Sequence, residues 1–244
     1  MKKPKRSFSA RIFRSSLKTA IYLTGGTVAL TAIYAVVPVP TTLTMLFDSH
    51  GAKRDWTPLS DISPNLVRAV IAAEDGKFCS HDGFDREAIE KALKRNQQGG
   101  KIRGGSTISQ QTAKNVFLWQ GSGWTRYLRK VPEVYFTFLI EKIWGKRRIM
   151  EVYLNVAETG IGTYGAEEGA QRYFNKSAKD LTRTEAARLA AILPLPKKRA
   201  VNGVGGSRAV TATASLRASA SSNATASTAA FTHKKRAKPK PRPF

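Results

Sequence analysis

The first apolar segment of the chain is a run without charged residues that extends from Thr19 to Phe47. Its core, TAIYLTGGTVALTAIYAVVP, is long enough to cross about 30 Å of hydrocarbon at a rise of about 1.5 Å per helical residue. Pro38 and Pro40 follow and end any helix there. The pattern predicts one helix over residues 19–40 that spans a membrane. A buried core helix is the alternative interpretation of the same pattern.

Apolar residues then recur at helical spacing in several segments of the chain. The first is DISPNLVRAVIAAED, for which we predict Ser63 as the N-cap, Pro64 as the first helical residue and Glu74 at the end. The other predicted helices lie in DREAIEKALKRNQQGG, which stops at two glycines, in STISQQTAKN, in RYLRKVPEVYFTFLIEKIWGKRRIMEVYLN and in TRTEAARLAAIL.

Two of these segments begin with a capping box, in which Thr107 is paired with Gln110 and Thr182 with Glu185. Pro132 lies inside the longest segment, which we therefore expect to be kinked or split. No alternating apolar and polar run of useful length predicts a strand, and no internal repeat is visible. The chain after the first segment is expected to be mostly α-helical.

The charge distribution explains the formal net charge of +24. Residues 1–18 carry seven Lys or Arg and residues 197–244 carry eleven, with no acid in either segment. Terminal charge blocks are typical of interaction tails, so the net charge is weak evidence for nucleic-acid binding, and we expect none. Residues 199–244 are rich in Ala, Ser and Thr and then in Lys and Pro, which predicts a low-complexity, disordered basic tail.

The basic residues before the apolar run also predict its orientation. Seven positive charges precede it and only Lys53 and Arg54 follow closely, so the positive-inside rule places residues 1–18 in the cytoplasm. The segment is longer than the apolar core of a signal peptide, so we expect it to be retained. The predicted organisation is a cytoplasmic segment 1–18, a membrane helix 19–40, a domain 41–198 and the tail 199–244. Cys79 is the only cysteine, which excludes an intrachain disulfide.

Candidate chemistry is concentrated in AAEDGKFCSHDGFD, where Glu74, Asp75 and His81 lie at the end of a predicted helix. A second carboxylate, Glu133, follows Arg129 by one helical turn. Two separated carboxylates suit glycosyl transfer, in which one takes a proton at one side of the reacting centre. Lys and Arg nearby suit a phosphate leaving group. No nucleotide-binding glycine motif and no His or Cys cluster with zinc spacing occurs.

Five segments in order resemble the motifs of the monofunctional biosynthetic peptidoglycan transglycosylases, whose glycosyltransferase domain is shared with bifunctional penicillin-binding proteins. They are AEDGKFCSHDG, GGSTISQQTAKN, RKVPE, KRRIMEVYLN and GIGTYGAEEGAQRYF. The resemblance covers about residues 40–198, and nothing like a transpeptidase domain follows. It implies a lysozyme-like, two-lobed α fold with a segment that dips into the membrane, on the outer side of the cytoplasmic (inner) membrane.

The resemblance also implies an activity. Glu74 is expected to be the general base that deprotonates the 4-hydroxyl of lipid II, which then attacks the growing lipid-linked glycan with inversion and release of undecaprenyl pyrophosphate. Glu133 is the second expected catalytic residue. No cofactor is expected to be required, although a divalent cation (Mg or Mn) assists many members. The expected partners are lipid II, nascent glycan strands and other cell-wall synthesis proteins. The expected substrate-binding residues are Asp75, Phe78, His81, Ser106, Thr107, Gln110, Gln111, Lys114, Asn115, Arg129 and Lys130.

Two other functions are compatible with parts of the sequence. A lytic murein transglycosylase shares a lysozyme-like fold, but it has no pyrophosphate to bind and does not explain STISQQTAKN and RKVPE. A non-enzymatic, membrane-tethered basic binding protein would explain the net charge alone. Several candidate residues also have plain structural roles open to them, since Ser106, Thr107 and Gln110 are suited to helix capping and Asp75 and His81 to loop hydrogen bonding.

Overall fold

The computed structural model describes residues 8–97, 105–121, 123–194 and 196. The chain divides into two compact units, residues 1–38 and residues 39–244. The predicted tail at 199–244 and the glycine stop predicted at Gly99 and Gly100 lie outside the described residues.

The first unit contains one helix, α1, which runs from Phe8 to Tyr34. The predicted helix over 19–40 is therefore displaced: α1 begins within the basic segment and ends before the prolines. Pro38 disfavours helical backbone at the residue before it, so the chain leaves the helix ahead of Pro38 and Pro40. Among the described residues, no helix has both the length and the apolar character that crossing a membrane requires.

The second unit is mostly helical, as predicted. Its helices are α2 (Leu43–Leu46), α3 (Pro64–Glu74), α4 (Arg86–Gln97), α5 (Ile108–Phe117), α6 (Thr125–Leu128), α7 (Lys130–Ile143), α8 (Gly145–Val156), α9 (Ala166–Phe174) and α10 (Arg183–Ile192). Short 3-10 turns occur at Leu59–Asp61 and Ala178–Asp180.

The predicted helix ends are largely confirmed. Ser63 caps α3 by accepting from the Asn65 N–H, and Pro64 is the first helical residue. Both capping boxes are formed, at the starts of α5 and α10. These signals are reliable because a Ser or Thr oxygen satisfies a backbone N–H that has no partner within the helix.

The long segment that contains Pro132 is split, but the breaks lie elsewhere. α6 ends before Arg129 and α7 before Trp144, and α8 begins at Gly145, whose φ of +69° is a left-handed conformation. Pro132 lies in the first turn of α7, where the N–H that proline lacks has no helical partner to lose. The proline is therefore tolerated, and the glycine makes the sharper break.

A small sheet of three strands was not predicted. β1 (Lys53–Arg54) pairs in parallel with β3 (Thr163–Tyr164), and β3 pairs antiparallel with β2 (Glu158–Gly160), which gives the order β1-β3-β2. Strands of two or three residues are too short to show a period of two, so the sequence contains no detectable signal for them.

The core forms where α3 packs on α10 and where α5 packs on α7 and α8. The apolar stripe of α3 is buried along its whole length, from Leu66 to Ile71, and Leu189 of α10 is equally buried. The three helices α5, α7 and α8 together bury Ile108, Ile140 and Ile149. The end of α3 lies beside the start of α5, where the Ile108 N–H donates to Asp75 and where the candidate residues lie.

Candidate active site

Glu74 is the last residue of α3, and its side chain is partly exposed. Its Oε2 accepts a 2.8 Å hydrogen bond from Nε2 of Gln111, which lies on the second turn of α5. The Oε1 of the same Gln111 carboxamide lies 3.5 Å from the Tyr153 hydroxyl of α8. Glu74 therefore sits on a short polar path that connects α3, α5 and α8.

Tyr153 is buried with only 1% of its surface exposed. Burial raises the pKa of its hydroxyl well above the ordinary value of 10, and the negative charges of Glu74 and Asp75 raise this pKa further. The hydroxyl consequently stays protonated and remains a hydrogen-bond donor at any physiological pH. Nothing in the sequence indicated that Tyr153 lies beside the two carboxylates.

Asp75 directly follows Glu74 but faces the protein interior. Its carboxylate accepts from Nε2 of His81 at 2.9 Å and from the backbone N–H of Ile108 at 3.0 Å. The other imidazole nitrogen, Nδ1, accepts from the Gly83 N–H at 3.1 Å, and the Gly83 carbonyl accepts from Thr107 Oγ1 at 2.6 Å. We refer to these five residues, Asp75, His81, Gly83, Thr107 and Ile108, as the Asp75 network.

Phe78 lies between Asp75 and His81 along the chain, and its side chain is fully buried. The Lys146 ammonium of α8 lies 4.6 Å from the centre of its ring and donates to Glu141 Oε1 at 2.6 Å. Ser109 of α5 donates to the same Glu141 oxygen. Glu141 of α7, which the sequence did not single out, is thus hydrogen-bonded to both α5 and α8. Lys146, one of its two partners, also contacts the Phe78 ring.

The second candidate carboxylate, Glu133, lies in the first turn of α7 and is only 2% exposed. Lys130 donates to its Oε1 at 2.6 Å, and Arg129 Nη1 lies 3.2 Å from its Oε2. The geometry of the second contact is that of an ion pair without a hydrogen bond. Arg129 is 5% exposed, and its Nε and Nη1 have no hydrogen-bond acceptor among the described residues.

Lys114 lies one turn after Gln111 on α5 and forms no hydrogen bond or ion pair with any residue that the structure describes. Burial lowers the pKa of its ammonium, the charge of Arg129 lowers this pKa further, and Glu133 and Glu74 act in the opposite direction. Three cations therefore share one buried carboxylate, so the cluster carries excess positive charge. Such a cluster is suited to an anionic ligand.

The structure divides the predicted site residues into two groups. The first group faces one neighbourhood between α3, α5 and α7 and contains Glu74, Gln111, Lys114, Arg129, Lys130 and Glu133. The second group is occupied by contacts within the protein and contains Asp75, Phe78, His81, Thr107 and Gln110. Ser106 and Asn115 are partly exposed at the start and the end of the same α5 region. Substrate contact by any of these residues stays a prediction.

A divalent cation finds no ready set of ligands in this site. Among the described residues, no group of three His, Cys, Asp or Glu side chains is placed to hold a metal ion. Glu133 is already paired with two cations and Asp75 with two donors.

Comparison with known proteins agrees with the motifs. Residues 41–219 match the family model described as Transglycosylase. The chain is 53% identical over 195 residues to the biosynthetic peptidoglycan transglycosylase of Caulobacter vibrioides. The aligned region covers 78% of this chain and 84% of the relative. It is 50% identical over 186 residues to the protein of the same name from Mannheimia succiniciproducens, covering 72% and 75% of the two chains. With the protein of that name from Pseudomonas aeruginosa it shares 45% identity over 196 residues, covering 77% and 83%. The chain belongs to the transglycosylase family.

Proposed function

We propose that this enzyme is a peptidoglycan glycosyltransferase that transfers the growing lipid-linked glycan chain onto the 4-hydroxyl of lipid II. The anomeric carbon is inverted, and undecaprenyl pyrophosphate leaves. The observation that carries the proposal is the position of Glu74 near a cation cluster with excess positive charge, formed by Lys114, Arg129 and Lys130 around the buried carboxylate of Glu133. A base on one side and cations on the other are what this transfer requires.

Glu74 is the proposed general base. A carboxylate that is ionised at neutral pH can accept the proton of the acceptor hydroxyl. The hydrogen bond from Gln111 fixes Oε2, which restricts the orientation of the carboxylate. General base catalysis of this kind contributes about 10²–10⁴-fold to a rate.

The cation cluster is the proposed site for the pyrophosphate. Lys114 has no anionic partner of its own, and Arg129 has buried N–H groups without acceptors among the described residues. Phosphate oxygens supply both, and preorganised cations act most strongly when negative charge develops on the leaving group. Glu133 is the second proposed catalytic residue, because it holds Arg129 and Lys130 in place at the leaving group. A lytic enzyme, whose substrate lacks a pyrophosphate, has no use for this cluster.

The lysozyme-like, two-lobed arrangement of the domain belongs to the same proposal, as does substrate contact by Ser106 and Asn115. For Asp75, His81, Thr107 and Gln110, whose polar side-chain atoms bond within the protein, we propose support of the site in place of direct substrate contact. The same role is proposed for Phe78, whose ring is fully buried. Lipid II and nascent glycan strands are the proposed partners, together with other proteins of cell-wall synthesis.

Attachment to the cytoplasmic membrane is also proposed, with residues 19–40 as a single-pass anchor and residues 1–18 in the cytoplasm. The support is the uncharged sequence after Lys18 and the seven basic residues up to and including it. In the second unit, α7 exposes Val131, Val134 and Phe138 on one face, a spacing of three and four residues. Exposed apolar side chains also lie on or beside α2 and α6, namely Leu46, Phe47, Trp124, Tyr127 and Leu128. Surfaces of this kind are suited to a lipid interface.

The proposed function is tested by supplying purified lipid II to the full-length protein. Formation of long glycan strands with release of undecaprenyl pyrophosphate is the expected result. Release of anhydro-sugars from isolated sacculi, without growth of polymer from lipid II, would instead assign the enzyme to the lytic class.

A further inference from the structure

We infer that Asp75 and His81 are positioning residues, which hold the proposed base Glu74 in place through the Asp75 network and do not contact the sugar themselves. The inference rests on the proposed role of Glu74. It assigns to the two residues a task different from the substrate contact expected from the sequence.

The first argument is that both side chains are enclosed and fully used. The Asp75 side chain is 2% exposed and the His81 side chain 9%. The carboxylate binds the imidazole and the first N–H of α5, and the imidazole uses both of its nitrogens. A substrate hydroxyl therefore cannot reach the Asp75 carboxylate without displacing the groups that enclose it.

The second argument is that the network closes on itself and connects the elements that carry the site. It runs from Asp75 at the end of α3 through His81 and Gly83 to Thr107, the N-cap of α5, and returns through Ile108. Glu74 is therefore held at a fixed distance from α5, which carries Gln111 and Lys114.

Gly83 extends the network to α7. Its φ is +89°, and a Cβ added there would lie 2.8 Å from Cγ2 of Thr137 and 3.0 Å from Cγ of Glu141. Thr137 follows Glu133 by one turn and donates to its carbonyl at 2.7 Å. The loop therefore packs directly on the helix that carries the second carboxylate, so one network sets the positions of Glu74 and Glu133 together.

The third argument is that the network accepts only one tautomer of neutral His81. The Gly83 N–H donates to Nδ1, so the proton must be on Nε2, where it is donated to Asp75. An amide in place of the Asp75 carboxylate cannot satisfy this pattern. The carboxylate offers one oxygen to the imidazole N–H and the other to the Ile108 N–H. An amide has only one oxygen, so its NH₂ group would face one of these two donors.

The substitution Asp75→Asn is therefore the test, since it preserves shape and removes one acceptor. The matched control is Asp85→Asn in the same loop. Asp85 accepts a single 3.0 Å bond from the Ala88 N–H at the start of α4, which an amide oxygen also accepts. In full-length protein with lipid II, we expect D75N to lower kcat by on the order of 10²-fold, as a misplaced catalytic group does. We expect KM to change much less, and D85N to match the parent.

The tautomer is read independently by ¹⁵N NMR of the imidazole in the parent protein. The chain has three histidines, so His81→Gln assigns the signal. The inference predicts the Nε2–H form in the parent and loss of that single form in D75N, whether or not the enzyme polymerises lipid II. An Nδ1–H form in the parent, or a D75N variant with the kcat of D85N, would overturn it. A parent that is inactive while the tautomer pattern holds would count against the proposed function and leave the network intact.

Discussion

The Nε2 of Gln111 donates a 2.8 Å hydrogen bond to Oε2 of Glu74, and this bond joins the end of α3 to the second turn of α5. The carboxamide can donate to Glu74 only while its oxygen points the other way, toward the buried hydroxyl of Tyr153 at 3.5 Å. The orientation of Gln111 therefore depends on Tyr153.

Removal of this hydroxyl should affect the activity more than the fold. We expect Tyr153→Phe to lower kcat by about fivefold, roughly 1 kcal/mol of transition-state stabilisation, because Gln111 loses the group that orients it. The matched control is Tyr164→Phe, since Tyr164 is equally buried but donates to Asp48 at 2.6 Å, outside the candidate site. That variant should lose about 1–3 kcal/mol of stability and keep its kcat. Equal kcat values for the two variants would contradict the role of Tyr153 in orienting Gln111.

Lys114 should stabilise the transition state of the transfer reaction and, at the same time, destabilise the folded state. Its pKa is lowered on folding, chiefly by burial and then by Arg129, so the native state binds this proton less tightly than the unfolded chain. We expect Lys114→Met to raise the free energy of unfolding at neutral pH, within the gain of about 0.5–2 kcal/mol typical of such changes, while polymerisation falls steeply.

The sign of the pH dependence follows from the same shift. The cost of the buried charge is complete below the lowered pKa of folded Lys114 and disappears as the pH rises toward the unfolded value of 10.5. The stability difference between K114M and the parent should therefore shrink with rising pH. The exposed Lys142 of α7 supplies the control, since K142M should give no gain at any pH. A K114M variant that is less stable than the parent would show that Lys114 has a partner that stabilises it.

A capping box provides a pH prediction on the acid side. Lys176 and the Thr182 cap hold the pKa of Glu185 at about 2, below its ordinary value of 4.5. The unfolded chain therefore binds this proton first, so the contribution of Glu185 is complete above about pH 4.5 and is lost as the pH falls toward 2. We expect Glu185→Gln to lower Tm at pH 6 and to match the parent near pH 2. A Tm difference that is constant between pH 6 and pH 2 would contradict a lowered pKa of Glu185 in the folded state.

The sequence predicted the parts of this site that depend on local chemistry. The Ser63 and Thr107 caps were predictable because a helix start needs an acceptor for its unpaired N–H groups, and the end of α3 at Glu74 followed from the apolar stripe before it. The burial of Asp75 and the position of Tyr153 were not predictable in this way. Both depend on contacts between residues more than 30 positions apart, such as Asp75 with Ile108 and Tyr153 with Gln111. Such contacts leave no local periodicity in the sequence.

The membrane anchor makes a prediction about topology. A fluorescent protein that folds only in the cytoplasm, fused ahead of residue 1, should fluoresce, and alkaline phosphatase fused after residue 244 should be active in a bacterial host. The reason is the excess of basic residues before the uncharged run. Replacing the seven Lys and Arg residues of positions 1–18 with Gln should weaken this orientation. An inactive phosphatase on a stable, full-length fusion would place Glu74 on the side of the membrane away from the proposed substrate.

The central claim is that Glu74 is the base, and the rate of lipid II polymerisation by Glu74→Gln tests it most directly. The amide keeps the size of the side chain and cannot take a proton, so we expect a loss of about 10²–10⁴-fold in kcat with lipid II binding and Tm close to those of the parent. Glu90→Gln, an exposed carboxylate on α4, is the matched control and should polymerise at the parental rate. If E74Q polymerises lipid II as fast as E90Q, Glu74 is not the base and the proposed mechanism is wrong.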